Sequence, residues 1–242
     1  MSSDPIRGKY TIIALWFYVG WVIVFILEGL LAQTLSTRDL TSSLDRQIPL
    51  VPLFVWFYVL CYVFPFILIP MTTNWHRFNI AFLSIALCTL IGFIGHIGLP
   101  IAFPKPQPGG NSLSEQLVRY IHSHDFLPGA QNFPSLHVAI TWTVFFACLR
   151  QGRPKLLEGI LLIATLLIIA STVLIKQHLF IDLIGGTAVG FLIWWVTSRT
   201  YERLIGDSDQ PLNALRFSAR KMVPALTACV VVLLIVIGAQ LI

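Results

Sequence analysis

A chain of 242 residues that is 56% hydrophobic and only 11% charged is too apolar for an ordinary soluble domain, which carries about 25% charged residues. Its formal charge of +5 comes from basic residues scattered over loops without runs, which argues against nucleic acid as a partner and leaves the bilayer as the natural solvent. Cys61, Cys88, Cys148 and Cys229 all lie in apolar stretches without metal-type spacing and are expected as buried thiols.

A spanning helix needs about 20 mostly apolar residues. Seven stretches meet or approach this, at 11–32, 50–70, 78–99, 133–149, 157–175, 179–198 and 222–242. The expected fold is therefore all-α: a polytopic transmembrane helical bundle of six core spans plus a seventh at the carboxyl end, forming one integral membrane domain over 1–242. The first span follows Arg7 and Lys9. Its uncharged run from Tyr10 to Leu27 is too long for a usual signal peptide and lacks a small-residue cleavage site, so it is read as retained. Pro65 predicts a kink in the second span, which neighbouring spans in a bundle tolerate. The fourth and fifth spans are short.

Residues 100–132 form the longest loop, opening with PIAFPKPQPGG and continuing through a polar stretch long enough for a short helix. Loops of this length in compact proteins are usually functional or disordered. A second polar connection runs over 199–221. Eleven of the 16 Lys and Arg residues fall on the side of the amino terminus. The positive-inside rule then puts that terminus in the cytoplasm and loop 100–132 outside. An inner or plasma membrane is expected, with the site facing the periplasm, the exterior or an organelle lumen.

An ionisable group at the bilayer centre costs roughly 2.5–3.5 kcal/mol, so Glu28, His96, His137, His178 and Asp182 are functional suspects. In HLFID, His178 and Asp182 stand four apart at the start of the sixth span, on one helical face. A carboxylate one turn along can hold an imidazole in one tautomer and stabilise its cationic form. His137 and His178 are separated by one helical hairpin, so parity and length bring both to the same depth on the outer side. NFPSLHVA opens the fourth span. Pro134 suits a first helical turn, and the N–H groups there, that of Ser135 included, offer positive partial charge to an anion. Lys105, Arg119 and Lys176 lie on the same side. Two histidines, a carboxylate and several cations without a Cys cluster point to phosphate chemistry, with no metal or cofactor called for.

PSLH followed by KQHLFIDLIGG resembles the type 2 phosphatidic acid phosphatase superfamily of integral membrane enzymes. Its members carry Pro-Ser-Gly-His on one helix and Ser-Arg-x5-His-x3-Asp about one hairpin later. The resemblance covers spans four to six closely and the six-span plan loosely. It implies that His178 attacks phosphorus to form a phosphohistidine, with Asp182 orienting it. It further implies that His137 protonates the leaving group and then activates water or another acceptor, that Ser135 contacts phosphate, and that no metal is required. Lys176, Lys105 and Arg119 become candidate substrate-binding cations.

The chain also departs from the pattern. Leu136 stands where Gly is usual, Thr172 takes the place of the phosphate-binding Arg after Ser171, and Lys105 is the nearest remnant of a first signature that is not intact. These losses resemble the branch that includes inositol phosphorylceramide and sphingomyelin synthases. The expected activity is hydrolysis of a lipid phosphate or diphosphate, with transfer between lipid headgroups as its alternative. A transporter moving protons through the same His and Asp is the reading of another class, and a metal site of His137, His178 and Asp182 a third. Simpler roles also stand: local hydrogen bonds for Glu28 and His96, snorkelling for Lys105 and Lys176, a solvated loop position for Arg119, pairing of Asp182 with Lys176, own-helix bonds for Ser171 and Thr172, and close packing at Gly185, Gly186 and Gly190.

Overall fold

The computed structural model describes residues 5–32, 34–124 and 130–212. Its helices are α1 (Pro5–Ala32), α2 (Ser43–Gln47), α3 (Val55–Val63), α4 (Leu68–Met71), α5 (Trp75–Gly98), α6 (Leu113–Ser123), α7 (Leu136–Cys148), α8 (Lys155–Leu174) and α9 (Phe180–Ile205). Among the described residues there is no strand, only a single bridge between Arg38 and Ile101 that ties two loops together. The protein is an all-α bundle, and the five long apolar helices among the described residues make it an integral membrane protein. They span Gly8–Ala32, Pro52–Met71, Trp75–Gly98, Lys155–Leu174 and Phe180–Ile205. The expected seventh span over 222–242, together with Cys229, lies outside the described residues.

Local chemistry sets the helix ends. The second span is interrupted at Pro65, where a 3₁₀ turn over Phe64–Ile67 separates α3 from α4, because proline removes an N–H from the α ladder. In the loop over 100–132, Ser112 and Glu115 close a capping box that starts α6, the short helix expected there. The fourth span is shorter than 133–149. Ser135 takes the N-cap position, so the helix begins at Leu136 and runs for 13 residues, roughly 20 Å. At its far end Arg77 of α5 donates to the carbonyls of Phe146, Ala147 and Leu149, groups that a helix terminus leaves without intrahelical partners.

α7 is the central element and packs on α9, α5 and α8. Its close approach to α9 depends on missing side chains. A Cβ at Gly186 would stand 2.5 Å from the Ser135 carbonyl oxygen, and one at Gly190 2.8 Å from that of Ala139. By contrast α1 is mostly exposed, presenting Trp16, Ile23 and Leu27 outward, as a lipid-facing helix does. Cys61, Cys88 and Cys148 are buried free thiols.

Candidate active site

The carboxyl ends of α1 and α5 and the amino ends of α7 and α9 meet at one end of the bundle. The turn between α8 and α9 places the first histidine. The Thr172 carbonyl accepts N–H groups from Gln177 at 2.9 Å and His178 at 3.0 Å, and Lys176 reverses the chain at φ 59°. His178 thus precedes α9 rather than lying on it. The expected pairing on one helical face is replaced by a pairing across a helix cap. Asp182, in the first turn of α9, reaches back to accept the Leu179 N–H at 2.8 Å, and its same Oδ2 faces His178 Nδ1 at 3.5 Å. One carboxylate therefore caps the helix and faces the imidazole. Asp182 and Ser135 are fully buried and His178 nearly so.

His137, the second residue of α7, completes the set. Its Nδ1 lies 3.2 Å from His178 Nε2, and its Nε2 lies 3.4 Å from the Tyr62 hydroxyl. Tyr58 packs against the His137 ring at a centroid separation of 4.8 Å, and its hydroxyl is 3.3 Å from that of Tyr62. The hydrogen-bond roles follow in sequence. With a proton on His178 Nδ1 facing the carboxylate, Nε2 presents a lone pair, His137 Nδ1 donates to it, and His137 Nε2 accepts from Tyr62. An imidazole lone pair beside a second imidazole that carries a proton can serve as nucleophile and general acid. The two tyrosines sit four apart in YVLCY, a spacing visible in the sequence but not singled out there.

The remaining candidates divide. Ser135 adjoins the histidines, but its N–H donates to the Asp182 carbonyl at 3.2 Å and its hydroxyl accepts from Val138 N–H. The N–H expected to face an anion is thus used to join α7 to α9. Lys176 turns away from the histidines, its ammonium donating to the carbonyls of Asp45, at 2.6 Å, and Ile48. Arg119 donates to the carbonyls of Pro108 and Gly110 and so organises the loop that precedes α6. Lys105 lies over the Phe103 ring at 5.8 Å. Thr172 and Ser171 bond their own helix, at Ile169 and Ile168. Leu136 is buried and lodges against Gly92 of α5, where a Cβ would collide with its side chain.

Asp45 of α2 is an unforeseen part of this end. Its Oδ1 accepts the Phe180 N–H at 2.7 Å, and its Oδ2 accepts the Ser42 N–H at 2.8 Å, so one side chain docks α2 onto the start of α9. Burial alone would raise this carboxyl. The Ser42 hydroxyl, the Phe180 and Ser42 N–H groups and nearby Lys176 outweigh burial and hold it below the ordinary carboxylate value. Burial draws the Lys176 ammonium below its usual value, against the attraction of Asp45.

Two cavities meet at His178. One of about 570 Å³ is largely apolar, lined by α1 (Trp21, Phe25), α3 (Tyr58, Tyr62) and α6 (Leu117), with His137, His178 and His96 at its head. The other, of about 510 Å³, is lined by Asp45, Arg46, Phe103 and Lys176. A sequence model of the PAP2 superfamily matches residues 36–196, which hold every residue of this site except those of α1. No curated protein and no solved structure matches the chain.

Proposed function

The chain belongs to the PAP2 superfamily, and from that membership we propose that it is a membrane-embedded phosphohydrolase of lipid phosphates or diphosphates, acting through a phosphohistidine at the outer membrane face. The observation that supports this reading best is the placement of His178, with Nδ1 toward Asp182 at 3.5 Å and Nε2 toward His137 at 3.2 Å. In the first step the Nε2 lone pair attacks phosphorus while the bond to the leaving oxygen breaks, and His137, entering as an imidazolium with Nε2–H toward Tyr62, gives that oxygen its Nδ1 proton and becomes neutral. Asp182 stabilises the cationic ring that results. In the second step His137 takes a proton from water, the hydroxide oxygen displaces Nε2 from phosphorus, and phosphate leaves. The two imidazole nitrogens are in hydrogen-bond contact at rest, so the phosphoryl group must part them on entry.

A lipid substrate follows from the cavity. It touches both His96 and Phe78, 18 residues apart on α5, a rise of about 27 Å against a hydrocarbon core of about 30 Å. Such a slot suits a long chain whose phosphate end rests at the histidines. The outward orientation rests on the distribution of Lys and Arg.

Trapping with radiolabelled lipid phosphate tests the mechanism. Wild type should yield an acid-labile, base-stable phosphohistidine that His178→Ala lacks. Equal turnover by wild type and His178→Ala would sink the assignment. Products formed with a polyol present separate the two reactions: free phosphate alone marks a hydrolase, a phosphorylated polyol a transferase. Full activity in chelator removes the metal reading.

A further inference from the structure

We propose that Glu28 and His96 form a buried ion pair that positions the start of α7 and turns positive charge toward the phosphate subsite. The proposal rests on the reading that His178 attacks a phosphate ester. Glu28 is 5% exposed near the end of α1, and His96 is 1% exposed in the last turn of α5. Imidazole Nδ1 lies 3.0 Å from Glu28 Oε1 and Nε2 lies 3.3 Å from the Pro134 carbonyl oxygen. The other carboxylate oxygen, Oε2, accepts from the Gln131 amide at 2.5 Å.

The proton inventory gives the pair its character. Both partners of His96 are acceptors when Glu28 is ionised, and a neutral imidazole donates from one nitrogen only. Filling both contacts takes one proton on Nε2 and one between Nδ1 and Oε1, met by a neutral imidazole facing a protonated Glu28 or by an imidazolium facing a carboxylate, of which the ion pair is the charged form. Apolar residues of similar volume would fill this space at no desolvation cost, so a charged pair here calls for a use.

Its use is set by what it holds. The Pro134–Ser135 peptide is pinned from both sides, by His96 on the carbonyl and by the Asp182 carbonyl on the Ser135 N–H. His137 follows two residues later, so α5 and α9 together fix the approach of His137 to His178. Gly95 provides the bed, where a Cβ would stand 2.8 Å from the Phe133 carbonyl oxygen. His96 also lines the cavity shared by His137 and His178, whereas Lys176 and Arg119 point at backbone carbonyls. His96 is therefore a positioning residue, and its charge flanks the site at which the sequence lacks the family's Arg.

The test uses the full chain in nanodiscs, with turnover of a lipid phosphate, inhibition by orthovanadate and melting temperature measured together. Glu28→Gln and His96→Gln should each lower kcat/KM and weaken vanadate inhibition by roughly ten- to hundred-fold, as loss of a supporting partner does in other polar sites. The double variant should be no worse than the worse single, because the two act as one unit. Glu28→Asp should recover part of the vanadate inhibition. If the single variants do not fold, Glu28→Leu with His96→Met keeps the packing and should fold without vanadate sensitivity. Wild-type turnover and vanadate inhibition in folded Glu28→Gln, His96→Gln or the Glu28→Leu/His96→Met double variant would overturn the proposal and leave a structural role. A wild-type protein that neither turns over lipid phosphates nor forms a phosphohistidine would instead overturn the reading of His178, and this proposal with it.

Discussion

Asp182 has two tasks that one substitution can separate. It accepts the Leu179 N–H at the cap of α9 and faces the His178 ring. Asp182→Asn keeps an acceptor for the cap and loses the charge. Turnover should fall by roughly 10²–10⁴-fold, while the melting temperature stays near wild type. Asp182→Ala should lose both, with an added cap cost of about 1 kcal/mol. Equal melting temperatures for the two variants would show that the cap bond is not needed. Asp45 should carry the acid sensitivity of this end of the bundle. Its carboxyl is held low in the fold, so its stabilising contribution is complete above the ordinary Asp value of about 3.9 and is lost as pH falls through the lower folded value. Thermal melts between about pH 5 and 2 should show a loss in wild type that Asp45→Asn lacks. Both residue types were visible in the sequence, but only Asp182 sat in a recognisable motif. Asp45 lies 135 residues from its partner Phe180, and no local pattern announces a bond of that reach.

At the scale of elements, the seating of α7 depends on small residues beneath it. A Cβ at Gly186 would stand 2.5 Å from the Ser135 carbonyl oxygen. Gly186→Ala should cost about 1–3 kcal/mol through overpacking and lower activity by moving Ser135 and His137. Leu136 fills the space that Gly92 leaves open on α5. Leu136→Ala opens a cavity and Gly92→Ala crowds it, so the double variant should be more stable than the sum of the singles predicts, by 0.5 kcal/mol or more. Additive losses would mean that the two positions do not share one space. The apolar run and the Pro-Ser opening made this helix legible in outline. Its start at Leu136 was not, because Ser135 as N-cap ends the helical register three residues inside the apolar stretch.

The whole molecule brings four helix ends to one polar site above a long apolar slot. If a lipid chain lies in that slot, kcat/KM should rise from short, water-soluble phosphate monoesters to long-chain lipid phosphates. Ile140, on α7 below His137, lines the slot. Ile140→Trp should lower turnover of long chains and spare the short ones. A flat response to chain length, in wild type and variant alike, would exclude the slot as the chain site.

Composition and apolar periodicity by themselves determined a helical membrane bundle, because about 20 apolar residues per span have no other stable state in lipid. The spacing of PSLH and HLFID likewise put His137, His178 and Asp182 at one depth, where the structure brings them together, since one hairpin between them leaves little freedom. The tertiary structure alone decided where the cations point, how Asp182 meets His178 across a cap, and that Glu28 reaches His96 and through it Pro134. The physical reason is reach. Hydrophobic periodicity is a local signal repeated along each helix, whereas a buried polar contact is chosen by whichever partner packing brings within about 3 Å.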